Sequence, residues 1–188
     1  MTGRAANDLI AVGDGVARFD GKKWRKLEGP EVELLCVTMH GDVVYAAGKD
    51  GCVVRIDGNQ MTVRTVRDLG DVTSLAVDDG GRLSLVGNGH VAEGSFPKLV
   101  ARRLSAVSVC HFRGQRYWGV VGDDPAMGLF VDKGKLERVS PLMAYGLIAD
   151  DKHLYGGGEY EVFRFDGKKF RTLKLKYDKT ASRWNLAP

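Results

Sequence analysis

The chain has 188 residues, of which 44% are hydrophobic and 28% charged, and its formal net charge is +4. Such a composition excludes a disordered or collagen-like polymer, and the length suffices for one domain with a real core. No run approaches the ~18 apolar residues of a membrane-spanning helix, and Met1-Thr-Gly-Arg-Ala-Ala-Asn7 reads as a mature cytoplasmic start.

The first apolar run, Leu-Ile-Ala-Val-Gly13, recurs along the chain as Val-Tyr-Ala-Ala-Gly48, Leu-Ser-Leu-Val-Gly87, Trp-Gly-Val-Val-Gly122 and Leu-Tyr-Gly-Gly157. The steps between these glycines are 35, 39, 35 and 35 residues. Three of the five runs continue in one pattern: Val-Ala-Arg-Phe-Asp-Gly-Lys-Lys-Trp24, Val-Val-Arg-Ile-Asp-Gly-Asn-Gln-Met61 and Val-Phe-Arg-Phe-Asp-Gly-Lys-Lys-Phe170. The continuation degenerates in the third and fourth repeats. Repeat boundaries fall near 1–41, 42–81, 82–115, 116–151 and 152–188, all within a single domain.

Inside a repeat, short runs rich in Val, Leu, Phe and Tyr alternate with Asp-Gly, Gly-Asp or Asp-Asp pairs, the pattern of strands joined by hairpins. The second repeat predicts four strands, at Leu34–Met39, Val43–Ala47, Cys52–Ile56 and Met61–Val66. No helical periodicity is sustained. The predicted fold is therefore all-β, a five-bladed β-propeller of four-stranded antiparallel blades. Ala11, Ala46, Ala47, Gly119 and Gly156 allow close packing of second strands. Cations on fourth strands (Lys23, Arg25, Lys26; Arg64, Arg67; Arg102, Arg103) block edge-to-edge pairing and account for much of the positive charge. The first blade starts at its second strand, so residues 1–6 or the tail Ser182-Arg-Trp-Asn-Leu-Ala187 must supply its first; Trp184 in a polar segment favours the tail.

These repeats resemble bacterial β-propeller repeat proteins, with a blade layout like that of the photosystem II assembly factor family. The resemblance implies the fold and leaves the function open, because propellers host enzymes, lectins and scaffolds alike. Asp20-Gly-Lys-Lys-Trp24 departs from a sialidase-type Asp-box, so no glycosidase activity carries over.

Functional residues are few. Cys36, Cys52 and Cys110 lack a C-x-x-C pair and read as buried thiols in a reducing compartment. His40, His90, His111 and His153 show no metal-ligand spacing, so neither metal nor cofactor is expected. No catalytic motif occurs, and inner strands offer only Thr38, Ser74 and Ser108 as polar groups, so an enzyme is not expected. Segment charges of 0, −3, +4, −2 and +5 form no continuous basic stripe, which argues against nucleic acid. Arg18, Arg55 and Arg164 share one repeat position and are expected to pair with nearby carboxylates. Trp24, Met61 and Phe170 share another and are expected to pack between blades.

One propeller face, built from second-to-third-strand turns and interblade loops, concentrates acidic residues. Asp14, Asp50, His90, Asp123, Asp124, Met127, Glu159, Tyr160 and Glu161 lie there, with Glu28, Glu31, Glu33, Asp68 and Asp71 from the loops. Such a face suits a basic protein partner. The expected function is a monomeric, non-catalytic, protein-binding propeller of the cytoplasm, such as an inhibitor or immunity protein that neutralises a basic bacterial toxin. The competing readings are a carbohydrate-binding propeller and a hydrolase or lyase with a site at the propeller axis.

Overall fold

A computed structural model describes residues 1–122, 126–159, 161–178 and 183–187. Their strands form five antiparallel sheets, each a meander in chain order. Sheet one comprises β1 (Thr2–Ala5), β2 (Asp8–Gly13), β3 (Gly15–Phe19) and β4 (Trp24–Leu27). Sheet two comprises β5 (Leu34–His40), β6 (Val43–Gly48), β7 (Cys52–Asp57) and β8 (Gln60–Thr65), so all four strands read from the second repeat are present. Sheet three holds β9 (Ser74–Val77), β10 (Arg82–Gly87), β11 (His90–Ser95) and β12 (Val100–Arg103). Sheet four holds β13 (Ala106–Phe112), β14 (Gln115–Val120), β15 (Gly128–Asp132) and β16 (Leu136–Ser140). Sheet five has β17 (Gly146–Ala149), β18 (Leu154–Gly157), β19 (Glu161–Phe165), β20 (Phe170–Asp178) and a fifth strand, β21 (Arg183–Ala187). The five sheets are blades of a β-propeller. Sheets two to five each take their first strand from just before a repeat boundary, whereas sheet one takes its own from residues 2–5.

The chain forms two compact units, Met1–Ala106 and Val107–Pro188. In the first, sheet two is buried on both faces. Val44, Ala46, Val54 and Ile56 pack with Ile10 and Val16 of sheet one, while Tyr45, Ala47 and Val53 pack with Leu83, Leu85 and Ala92 of sheet three. Neighbouring residues point to opposite faces of a strand, so a strand apolar without alternation must be covered on both sides. In the second unit, Phe112, Tyr117, Leu129 and Val131 of sheet four pack with Leu154, Phe163 and Phe165 of sheet five. Each fully buried Leu, Val or Phe in these layers stabilises the fold by about 1.5–3 kcal/mol.

Two features of the repeat have direct physical causes. A Cβ at Gly48 would overlap the Glu33 carbonyl, and one at Gly87 the Leu69 carbonyl, because the interblade connection runs against the end of the second strand. The next residue then hydrogen-bonds that carbonyl, Lys49 N to Glu33 O at 2.9 Å and Asn88 N to Leu69 O at 3.0 Å. In two of the Asp-Gly pairs the aspartate closes its own turn: Asp20 Oδ1 accepts from Lys22 N and Lys23 N, and Asp166 Oδ1 from Lys168 N and Lys169 N.

Two expectations are corrected. Residues 2–5 supply the first strand of sheet one, with Thr2 opposite Ile10, whereas the tail pairs with β20, Lys174 opposite Ala187 through Asp178 opposite Arg183. Four residues separate β20 from β21, so that hairpin closes at far lower entropic cost than pairing across the chain. Of the three residues expected between blades, Met61 lies there, its Sδ against Gly29, and Phe170 packs against the core between sheets four and five while stacking on Phe165 at 4.3 Å. Trp24 does not: it is 46% exposed and tilts onto Phe19 at 5.3 Å. Both follow from register, since each aromatic sits directly opposite the other across its hairpin.

Candidate functional site

The connection from β4 to β5, residues 28–33, alternates as a strand does without pairing as one. Val32 packs into the core between sheets one and two, and Leu34 is 2% exposed. Glu31 and Glu33 consequently turn outward. With Glu28, and with Asp14 from the β2–β3 turn, they border a cleft of about 610 Å³ whose only cation among the lining residues is Lys26. The fixed φ of Pro30 restricts the connection, and Gly29 leaves room for the Met61 sulfur.

The acidic strip continues beside this cleft. Lys49 Nζ bonds Asp71 Oδ2 at 2.8 Å, the Asp50 amide donates to Asp71 Oδ1 at 3.2 Å, and Glu33 and Asp50 both act electrostatically on Lys49. The hydrogen bond from Lys49 and then that from the Asp50 amide hold the Asp71 carboxyl below its ordinary range; the Lys49 ammonium is raised in turn by Asp71. Asp50 sits at φ 55°, a left-handed conformation that aspartate tolerates better than most residues. Six carboxylates (Asp14, Glu28, Glu31, Glu33, Asp50 and Asp71) therefore meet two lysines on this surface of the first unit.

The other residues singled out in the sequence fall elsewhere. His90 opens β11, and its Nδ1 lies 3.0 Å from the Asn88 carbonyl, a contact local to the turn. Met127, Glu159 and Glu161 belong to the second unit; Glu161 opens β19 opposite Lys174, and its carbonyl accepts from Gly158 N at 2.8 Å. Asp123, Asp124 and Tyr160 lie outside the described residues.

The nucleophile-bearing side chains serve the fold. Cys36 donates to the Ala47 and Val72 carbonyls, and burial pushes its thiol up to about 12. Burial raises Cys110 to about 11 and lifts Cys52 as well, so all three stay protonated near neutral pH. The Ser108 hydroxyl donates to the Ala144 carbonyl. Among the described residues, no group of three or more His, Cys, Asp or Glu is placed to hold a metal.

Sequence reasoning missed a second depression, on sheet five, also of about 610 Å³ and far more apolar. Ile148, Val162 and Leu173 border it with exposures of 69%, 41% and 43%, beside Tyr155, Arg164 and Arg171. The signal was present in the alternation of Val162 and Arg164 with the buried Phe163 and Phe165, but strand alternation alone does not say which face is covered.

No protein-family profile matches the sequence, and neither does any curated protein. Solved structures do resemble it. The extracellular domain of BT4673 from B. thetaiotaomicron matches with a TM-score of 0.71 at 15% identity, over 95% of this chain and 29% of that one. The WD40 β-propeller domain of Doa1 matches with a TM-score of 0.65 at 14% identity, over 90% and 65%. YCF48, solved bound to D1 peptide, matches with a TM-score of 0.61 at 12% identity, over 89% and 64%. The chain thus spans less than two thirds of each of these proteins. At such identities the likeness is one of fold, and the fold is that of β-propeller proteins.

Proposed function

We propose that this chain is a non-catalytic protein-binding propeller whose acidic surface, from Asp14 through Glu28, Glu31 and Glu33 to Asp50 and Asp71, receives a basic segment of a partner protein. The finer reading is an inhibitor of the immunity type, monomeric and cytoplasmic, that neutralises a basic bacterial toxin. A binding role is proposed separately for Asp123, Asp124, Met127, Glu159, Tyr160 and Glu161 of the second unit and for His90 of the first.

The observation that carries this reading is the carboxylate-bordered cleft of the first unit, which concentrates negative potential in a chain whose net charge is positive. A concave surface of one sign focuses the field and attracts the opposite charge. YCF48, a propeller of similar fold, is known with a bound peptide, so this architecture can take one. Three free thiols, Cys52 buried and Cys36 and Cys110 partly so, suit a reducing compartment.

Affinity capture from the native host followed by binding kinetics tests the proposal. Reversing Glu28 and Glu31 to Lys should slow association about tenfold or more, and wild-type association should slow as salt shortens the screening length below about 8–10 Å. Growth rescue of cells producing the captured protein tests the toxin reading separately. A captured partner indifferent to both reversals and to salt would place the binding surface elsewhere.

A further inference from the structure

Sheet five repeats a face that sheets one and two bury. In sheet one, Ile10 lies opposite Arg18; in sheet two, Tyr45 lies opposite Arg55; in sheet five, Tyr155 lies opposite Arg164. In the first two cases that face packs against the following sheet. In sheet five the opposite face is the one buried, through Leu154, Phe163 and Phe165, and the Tyr155 face carries the apolar depression.

Charge sets this face apart. Arg164 lies directly across from Arg171, as Arg18 lies across from Arg25. Like charges placed opposite each other on a sheet are destabilising unless compensated. In sheet one they are compensated, Arg18 by Asp8 at 2.9 Å and Arg25 by Asp20 at 2.9 Å. Arg55 is compensated by Asp57 at 2.6 Å. In sheet five the position of Asp8 is taken by His153. The position of Asp20 is taken by Asp166, which accepts from two turn amides as Asp20 does, but forms no ion pair with Arg171 of the kind that Asp20 forms with Arg25. Asp150, beside the same face, accepts from Lys152 N, His153 N and the Tyr155 hydroxyl. Among the described residues, no carboxylate pairs with Arg164 or Arg171.

We propose that this face of sheet five is a second docking site, for an extended acidic peptide segment of a partner protein in which a carboxylate and an apolar side chain stand two residues apart. Arg164 and Val162 are two residues apart on β19, as Arg171 and Leu173 are on β20, so each pair spans about 6.4–6.8 Å on one face. An extended peptide repeats its side chains at the same distance. Its carboxylate meets the two guanidinium groups while its apolar side chain covers Val162, Leu173 and Ile148. A second copy is a poorer occupant, because the face of sheet one turned away from sheet two presents Leu9, Ala11, Ala17 and Phe19 and no carboxylate to match the arginines.

Fluorescence anisotropy with a labelled octapeptide, Ser-Asp-Ser-Leu-Ser-Asp-Ser-Leu, tests this on the full chain. Binding is expected, with about tenfold or greater weakening in Arg164→Glu/Arg171→Glu and in Leu173→Asp. Peptides with Lys in place of Asp, or Ser in place of Leu, should fail to bind. Thermal melts of the free variants should match wild type. The proposal is overturned if the octapeptide does not bind, if the Ser-for-Leu peptide binds equally well, or if the double arginine variant binds unchanged. A lowered melting temperature in Leu173→Asp, or a concentration-dependent dimer that the variants abolish, would overturn it as well, by showing that the face is already covered.

Discussion

Sheets one and five carry the best-matched repeats in the chain, Val-Ala-Arg-Phe-Asp-Gly-Lys-Lys-Trp24 and Val-Phe-Arg-Phe-Asp-Gly-Lys-Lys-Phe170, yet they are built differently. In sheet one, Ala11 faces Ala17 across the β2–β3 pair; in sheet five the same place holds Gly156 against Phe163. The small residue on one strand sets the size that the other can reach. Phe19 has Trp24 beside it at a half-exposed hairpin end, whereas Phe165 is 5% exposed, stacked on Phe170 and edge-on to Phe112 and Tyr117. Similar sequence therefore fixes turn and register, while packing depends on what each face meets.

The largest effect should separate the two phenylalanines. Phe165→Ala empties a buried aromatic cluster and should cost about 3–5 kcal/mol in chemical denaturation. Phe19→Ala removes a half-buried ring and should cost about 1.5 kcal/mol. Equal losses would mean that both sheets bury this position alike.

A smaller contrast lies in the cross-strand pairs. A Cβ at Gly156 would enter the Phe163 ring, so Gly156→Ala should destabilise by about 1–3 kcal/mol through overpacking. Ala11→Gly only loosens a strand and should cost about 0.5–1 kcal/mol. Gly156→Ala combined with Phe163→Ala recreates the pairing of sheet one; it should relieve the overlap while adding the loss of the Phe163 ring.

The smallest contrast is in the turns. Backbone hydrogen bonds, from Lys23 and then Lys22, hold the Asp20 carboxyl below its ordinary 3.8, with Arg25 adding to the effect; amides of Lys169 and Lys168 do the same for Asp166. A carboxyl lowered on folding contributes stability above its unfolded value and loses it as pH falls through the folded value. Stability should therefore drop between about pH 5 and pH 2. Asn at either position keeps an oxygen acceptor but no longer titrates, so Asp20→Asn and Asp166→Asn should each flatten the acid limb, Arg25 adding to the effect on Asp20 as His153 and Arg113 add to that on Asp166. An acid limb unchanged in both variants would remove these turns from the account.

The propeller was legible because its signals are local. Apolar runs of four to seven residues, Asp-Gly turns and a period of 35 to 39 residues each follow from one hairpin's own geometry. The acidic cleft was legible in part: Asp14, Glu28, Glu31 and Glu33 were placed on one face, but only the tether at Val32 shows that they border one hollow. The pairing of Arg18 and Arg55 with carboxylates was anticipated, while the same position at Arg164 has no described carboxylate partner. The path of the tail was misread because Trp184 signals a need for company without saying which strand supplies it. Which face of sheet five is covered depends on its neighbours in space, and no residue of β19 encodes that by itself.

The overlap of Gly48 with the Glu33 carbonyl and of Gly87 with the Leu69 carbonyl bears on how such a chain can diverge. Those two glycines answer to main-chain proximity, whereas a Cβ at Gly13 would meet open space. The side chains on the turns beyond them meet no such demand and are free to drift independently in each blade. The letters that make the repeat visible are thus the ones that carry least information about a ligand. On the docking proposed at sheet five, recognition is written where the repeats disagree, as in Asp8 against His153.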